Sequence, residues 1–165
     1  SQIELARRRL SAGDYRGAAR EAERAVKLDP ANAEAADIVA RARAIVEAGD
    51  KAAAAARSAA AGKAAGAGDA FWQLLRVDAG HPAVDELAPA LEASFKARAD
   101  DARRLADGAR AAAERAGGAS TDAFREATVL GRDGETAYKA GRFATAARKL
   151  MQAREHFDRA AARTR

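Results

Sequence analysis

The sequence predicts an all-α protein made of antiparallel helical hairpins. Alanine supplies 52 of the 165 residues, whereas only 28 residues carry a large apolar or aromatic side chain. Alanine has the highest helix propensity, and arginine, glutamate, leucine and lysine follow it. No run of alternating β-branched and aromatic residues indicates a strand. We therefore expect long helices that approach each other closely along narrow seams around a thin core.

The first two helices are joined by a glycine-aspartate turn. Residues 2–12 form the first helix, because their apolar side chains recur near helical spacing. Gly13 and Asp14 interrupt this pattern, and the second helix begins directly after them. It ends before Pro30, since proline cannot continue a helix and disfavours the helical conformation of the residue before it. Together these features predict a helical hairpin.

This hairpin resembles a tetratricopeptide repeat, a helix–turn–helix unit of about 34 residues. The residues that match the family's turn, its small second-helix positions and its closing motif are Gly13, Asp14, Tyr15, Ala18, Ala25, Leu28, Asp29 and Pro30. Leu5 and Ala6 stand where the family has Leu-Gly. Gln2 replaces the family's aromatic residue, and Ala22 replaces its large second-helix residue. The match implies a right-handed superhelical array of hairpins.

Weaker copies of the pattern and longer, irregular helices follow. The predicted segments are a best-matching repeat (1–32), a degenerate repeat (48–82), a long helix (83–117) and a C-terminal helical hairpin (121–165), all in one domain over 1–165. The pattern leaves residues 33–61 as one long helix or as two helices broken at Gly49 and Asp50. Pro89 is expected to kink the long helix or to mark a new start.

The resemblance implies a non-catalytic module that binds a protein or peptide partner and acts as a scaffold. Members of the family usually bind peptides on the concave face that the first helices form. The matching positions in this sequence are Ile3, Arg7, Leu10 and Ser11. Degenerate alanine-rich arrays also resemble the non-catalytic regions of bacterial signalling proteins, so the resemblance implies a module of a larger bacterial protein.

Phe71 and Trp72 form the densest aromatic spot of the sequence. Adjacent residues on a helix point in different directions, so the two side chains are not expected to face fully inward together. Core packing is the simpler interpretation. A partner-binding groove that one of them lines is the alternative, and both are therefore candidate partner-binding residues.

Much of the basic charge lies near the C-terminus. Residues 142–165 contain seven basic and two acidic residues, which accounts for the net charge of +5. An apolar stripe at helical spacing runs along this helix, and Arg148, Arg159 and Arg163 lie on the opposite side. This side is a solvated face or, as an alternative, a surface for an acidic partner, nucleic acid or anionic lipid. A nucleic-acid binder more often has a broad basic surface, so a protein partner is the favoured expectation.

Residues 83–117 offer a further alternative. Their apolar residues, Leu91 and Leu105 among them, follow a heptad-like spacing. Such spacing over a long helix is typical of a coiled-coil seam. A homodimer that pairs along this helix is therefore possible, in which case the chain would be an oligomerisation domain.

The sequence has no recognisable catalytic or cofactor-binding motif. The stretch GKAAGAGD from Gly62 lacks the first glycine, the hydroxyl residue and the preceding strand of a phosphate-binding loop. His81 and His156 have no second histidine at metal-ligand spacing, and cysteine is absent from the chain. We therefore expect no enzyme activity, no cofactor and no metal.

The sequence also bears on location. No segment approaches the ~20 apolar residues of a membrane span, and no signal peptide is recognisable. We therefore expect no membrane span and favour a cytoplasmic location. The chain begins at Ser1 without an initiator methionine, so we expect it to be part of a longer protein.

Overall fold

The computed structural model of the chain describes residues 1–62 and 65–162. Within these ranges it has eight α-helices and two short 3-10 helices and no strand, so the predicted all-α class is confirmed. The α-helices are α1 (Gln2–Ser11), α2 (Tyr15–Leu28), α3 (Ala33–Ala61), α4 (Ala67–Asp78), α5 (Pro82–Leu87), α6 (Lys96–Arg115), α7 (Asp122–Lys139) and α8 (Phe143–Ala162), and the 3-10 helices are Ala88–Ser94 and Gly118–Ser120. No helix of the described ranges is both long and apolar enough to cross a membrane.

The chain forms two compact units, residues 1–51 and residues 52–165, where the sequence predicts one domain. Each unit has its own cluster or clusters of buried apolar residues. The boundary between the units falls within α3. Arg163 of the predicted basic surface and residues 63–64 of the predicted degenerate repeat lie outside the described residues.

The hairpin of α1 and α2 forms where the sequence predicts it. Asp14 caps α2 by accepting a hydrogen bond from the Gly17 N–H at 3.0 Å. This bond satisfies one of the donors that a helix N-terminus leaves without an intrahelical partner. Gly13 has a φ of 82°, a left-handed conformation that residues with a side chain rarely adopt. The glycine-aspartate turn is therefore the sequence that this geometry requires.

Alanine forms most of the core of the first unit. The buried residues of its apolar cluster are Ala6, Ala18, Ala19, Ala22, Ile38 and Ala42. Three ion pairs also join α3 to the hairpin: Arg7–Glu34, Arg16–Asp50 and Arg43–Glu23. Exposed pairs of this kind contribute only about 0–1 kcal/mol each. Close packing of small side chains therefore holds this unit together, as the composition predicts.

Residues 33–61 form one continuous helix, α3. The structure thus decides between the two alternatives that the sequence leaves open. Gly49 is buried within the helix, and Asp50 binds Arg16 of α2. A glycine inside a helix costs about 1 kcal/mol relative to alanine, and the many neighbouring alanines offset this cost.

In the second unit, α8 is the central helix and packs against both α6 and α7. The sequence predicts a single apolar stripe on α8, but the structure buries more than one face. The buried residues of α8 are Ala144, Ala146, Ala147, Leu150, Met151, Ala153, Phe157, Ala160 and Ala161. The difference arises because alanine favours a helix whether it is buried or exposed, so the sequence does not show which alanines are covered.

The predicted long helix over 83–117 is divided into α5, the 3-10 helix Ala88–Ser94 and α6. Pro89 lies in the first turn of the 3-10 helix, where its missing N–H costs no helix hydrogen bond. Phe95 follows and is buried at 3% exposure. The buried residues of α6 are Ala99, Ala102, Ala106, Ala109 and Ala113. They belong to the same apolar clusters as residues of α8, so these alanines pack within the chain, whereas Leu105 is 38% exposed.

Candidate interaction groove

An open groove lies in the second unit, between the C-terminal end of α3, the start of α4, and α5 with the 3-10 helix that follows it. Its volume is about 570 Å³. The residues that line it are Ala56, Arg57, Ala60, Ala61, Ala67, Phe71, Glu86, Leu87, Ala90 and Leu91. Eight of these ten residues are apolar, so the groove is suited to apolar groups of another molecule.

Both residues of the predicted aromatic pair are buried, Phe71 at 0% and Trp72 at 4% exposure. Phe71 lines the groove and meets the Phe95 ring edge-on, with ring centroids 5.1 Å apart. Trp72 lies 6.4 Å from the same ring and under the Arg98 guanidinium, which is 5.4 Å from the Trp72 ring centroid. The sequence pattern did not lead us to expect both side chains to face inward. Both are buried because Phe95 contacts both rings.

The polar residues of the groove, Arg57 and Glu86, bind each other. The Arg57 Nε donates to Glu86 Oε2 at 2.9 Å, and Arg57 Nη2 donates to Glu86 Oε1 at 3.4 Å. This ion pair joins α3 to α5. The lining of the groove is therefore mainly apolar, and its two charged residues are paired with each other.

The candidate residues of α1 take part in contacts within the first unit. Ile3 and Leu10 are half-buried against its apolar cluster, and Arg7 binds Glu34 of α3. Ser11 is half-buried. The structure thus brings these four residues to one face of α1, but it uses much of that face for packing inside the unit.

The first unit also has an exposed leucine that was not predicted as a candidate. Leu28 is 79% exposed and lines a shallow groove of about 580 Å³. Its other lining residues are apolar (Ile3, Leu5 and Ala25) and polar (Ser1, Gln2, Arg8, Asp29 and Asn32). The signal for it in the sequence is the closing Leu-Asp-Pro motif, which places a leucine at the very end of α2, where little of the unit covers it.

The predicted basic surface is not an exposed face in the described residues. The Arg148 side chain is only 19% exposed and pairs with Asp85 of α5 at 3.2 Å. Arg159 is half-buried. The sequence pattern assigns this side of α8 to solvent. The two arginines are nevertheless partly covered, because α4 and the 3-10 helix Ala88–Ser94 also pack on α8.

Among residues 1–62 and 65–162, no three histidine or acidic side chains come together in a way that could hold a metal ion. Comparison of the chain with protein-family models, with curated proteins and with solved structures found no significant match. The groove's own geometry is therefore the basis for a functional proposal.

Proposed function

We propose that this chain is a non-catalytic protein-interaction module, and that the groove of the second unit receives an amphipathic helix of a partner protein. The observation that carries the proposal is the apolar lining of the groove, with its charged residues paired to each other. The resemblance of the α1–α2 hairpin to a tetratricopeptide repeat supports the same class of function, a scaffold within a larger bacterial protein.

The chemistry of the groove defines its occupant. Its walls are mainly alanine, and small residues allow the backbone of a bound helix to approach closely. Phe71, Leu87 and Leu91 supply the larger apolar contacts. A helix that presents leucine-sized side chains at positions i, i+3 or i+4 and i+7 matches such a groove. The partner segment is therefore expected to be apolar on one face and to carry its charges on the other.

A matched pair of alanines on α3 provides the test. Ala60 lines the groove, whereas Ala54 lies six positions earlier, and both are exposed. Six helical positions correspond to a rotation of about 240°, so the two residues face different directions. A photo-crosslinking amino acid placed at Ala60 in cells of the source organism should capture one predominant protein. The same amino acid placed at Ala54 should not capture it.

The captured segment is then identified by mass spectrometry of the crosslinked peptide. The proposal expects a helix-forming segment with one apolar face. Equal crosslinking of the same protein from Ala54 and Ala60, or a captured segment without an apolar face, would contradict the proposal.

A further inference from the structure

A second groove of the unit 52–165 lies between α6 and α7. Both helices pack along α8 but meet each other at only a few positions. The space between them has a volume of about 530 Å³, and Leu150 and Phe157 of α8 contribute to its lining. We refer to this space as the α6–α7 groove. It shares no lining residue with the groove between α3, α4 and α5, so the two are separate surfaces.

Contacts across the α6–α7 groove hold its two walls at a fixed separation. The Arg103 Nε and Nη2 of α6 donate to the two carboxylate oxygens of Glu135 of α7, both at 2.9 Å. The same guanidinium lies 4.2 Å from the ring centroid of Tyr138. About two turns further along α6, the Arg110 guanidinium lies 5.8 Å from the ring centroid of Phe124. The groove is therefore bridged on both sides of its middle.

No large side chain fills the middle of the α6–α7 groove. Its lining there is formed by Ala106 of α6 and by Ala127 and Gly131 of α7. Glycine weakens a helix relative to alanine. Packing within the chain explains Gly134, where a Cβ would come within 2.7 Å of Leu150 Cγ, but a Cβ at Gly131 would meet nothing within 4 Å. The space beside Gly131 is thus open to another molecule.

The charged residues of the lining differ in whether they are paired. Arg110 and Glu135 are bound within the unit, by Glu114 and Arg103. Three others are exposed, and their side chains have no ion-pair or hydrogen-bond partner within residues 1–62 and 65–162. These are Asp107 on the α6 wall and Arg132 and Lys139 on the α7 wall. The groove therefore offers two unpaired positive charges on one wall and one unpaired negative charge on the other.

The spacing of these charges defines a complementary occupant. Arg132 and Lys139 are seven residues apart, which places them on one edge of α7 about 10.5 Å from each other. A helix with acidic residues at positions i and i+7 on one flank and a basic residue on the other flank would pair with all three unpaired groups. Flanking charges of this kind set partner choice between packed helices. A nucleic acid is less well matched, because Asp107 and Glu135 would repel its phosphates.

We propose that the α6–α7 groove is a second docking site, which receives a helix of a partner protein beside α6, α7 and α8. The partner helix presents small or apolar side chains to Gly131 and acidic side chains to Arg132 and Lys139. This inference goes beyond the proposed function, because it assigns a different surface, and the chain would then bind two helices at once. It does not depend on the groove that contains Ala60.

An NMR titration of the full ¹⁵N-labelled chain tests the proposal with a defined probe. The probe is a synthetic helical peptide of about 15 residues, or four turns, with glutamates at i and i+7 on one flank and lysines on the other. Its remaining face is alanine with a single leucine to enter the space beside Gly131. The amides of Thr128 and Thr136 should shift saturably, and binding should weaken as the salt concentration rises. A control peptide with lysine in place of both glutamates should bind about tenfold more weakly or less.

Two matched pairs of variants make the test specific. Gly131→Leu fills the groove and should abolish the shifts, whereas Gly108→Leu should bind as the wild type does. Gly108 is exposed on α6, does not line the groove, and a Cβ there would also meet nothing within 4 Å. Arg132→Glu should weaken binding about threefold to tenfold, because it replaces attraction by repulsion at an exposed site. Arg125→Glu should stay within about twofold, since Arg125 is paired with Asp122 and lies outside the lining.

The proposal is overturned if the acidic peptide leaves the Thr128 and Thr136 amides unshifted, if the lysine peptide binds equally well, or if Gly131→Leu binds like the wild type. A single-stranded DNA oligonucleotide that shifts the same amides at lower concentration than the peptide would also contradict it. Shifts at Leu87 and Leu91 would report the other groove. Absence of a crosslinked partner at Ala60 would contradict the proposed function and leave this titration as it is.

Discussion

At the scale of single residues, the small side chains that make the close packing possible also make it sensitive to one added methyl group. Gly134 of α7 lies against Leu150 of α8, and a Cβ at position 134 would come within 2.7 Å of Leu150 Cγ. Gly131 lies one turn earlier on the same helix, and a Cβ there would meet nothing within 4 Å. The two glycines share a helix but differ in what surrounds them.

Alanine at these two positions should have opposite effects. Gly131→Ala should raise the free energy of unfolding by about 0.5–1 kcal/mol, since alanine is the better helix former. Gly134→Ala should lower it by about 1–3 kcal/mol, because the methyl group displaces Leu150 from a packed core. Urea unfolding followed by circular dichroism measures both values. Equal stabilisation by both variants would show that α7 and α8 are not packed at this distance.

Two neighbouring residues of α8 should oppose each other in the pH dependence of global stability. Burial raises the pKa of Glu155 to about 7, so its contribution to stability falls as the pH rises from about 4.5 to 7. Burial and the charge of Arg159 lower the pKa of His156 to about 4, so its contribution rises between about pH 4 and 6.5. Glu126 Oε2 lies 3.3 Å from His156 Nδ1, but its side chain is 61% exposed and screened by water.

The free energy of unfolding of the wild type should therefore change little between pH 4.5 and 6.5. In Glu155→Gln only the histidine contribution remains, so the free energy of unfolding should rise with pH in this window. In His156→Gln only the glutamate contribution remains, so the free energy of unfolding should fall. Denaturant titrations at pH 4.5, 5.5 and 6.5 give the slope of the free energy of unfolding against pH for the wild type and for each of the two variants. Parallel slopes in the two variants would show that these side chains are not buried as described.

At the scale of elements, α8 depends on a carboxylate from another part of the unit. Glu92, in the 3-10 helix Ala88–Ser94, accepts hydrogen bonds at 2.7 Å from both the N–H and the hydroxyl group of Thr145. Thr145 lies in the first turn of α8. A negative charge at a helix N-terminus also interacts favourably with the helix dipole. This contact fixes the 3-10 helix, and with it Leu91 of the groove, to the start of the central helix.

Glu92→Ala should lower the free energy of unfolding by about 1–2 kcal/mol, the usual loss for a helix N-terminal cap. Glu92→Gln retains an acceptor for one of the two bonds, so its loss should be smaller. Thermal unfolding of both variants compares them directly. If Glu92→Ala had the same melting temperature as the wild type, the cap would not contribute to the stability of the unit.

The elements also show what the sequence could predict. The α1–α2 hairpin was predicted because its turn needs Gly13 and Asp14, and the C-terminal hairpin because Gly141, with a φ of 77°, marks its turn. For the groove, the sequence offered Phe71 or Trp72 as a lining residue, and Phe71 does line it. Its other walls were not predicted, because Leu87 and Leu91 lie on either side of the break at Pro89, where the sequence suggested one long helix. The burial of Arg148 was missed because helical periodicity describes one covering surface, whereas α8 has more than one.

At the scale of the whole molecule, the chain consists of two units with separate cores, and each has a groove with apolar residues in its lining. In residues 1–51 the lining is mixed and includes the exposed Leu28. In residues 52–165 it is mainly apolar and includes Phe71. Exposed apolar surfaces that are larger than scattered single residues mark interaction sites in many proteins. The composition, rich in alanine and poor in large apolar residues, made a thin core predictable but did not indicate where such surfaces would lie.

The most direct test of the central claim is calorimetric titration of the segment captured at Ala60, prepared as a synthetic peptide, onto the full chain. The interaction module that we propose predicts saturable binding with a 1:1 stoichiometry. Ala60→Glu places a charge in the apolar groove and should weaken binding by about tenfold or more, equivalent to about 1.4 kcal/mol, whereas Ala54→Glu should leave it within about twofold of the wild type. Equal affinities of the two variants would show that the peptide binds elsewhere and would contradict the assignment of the groove.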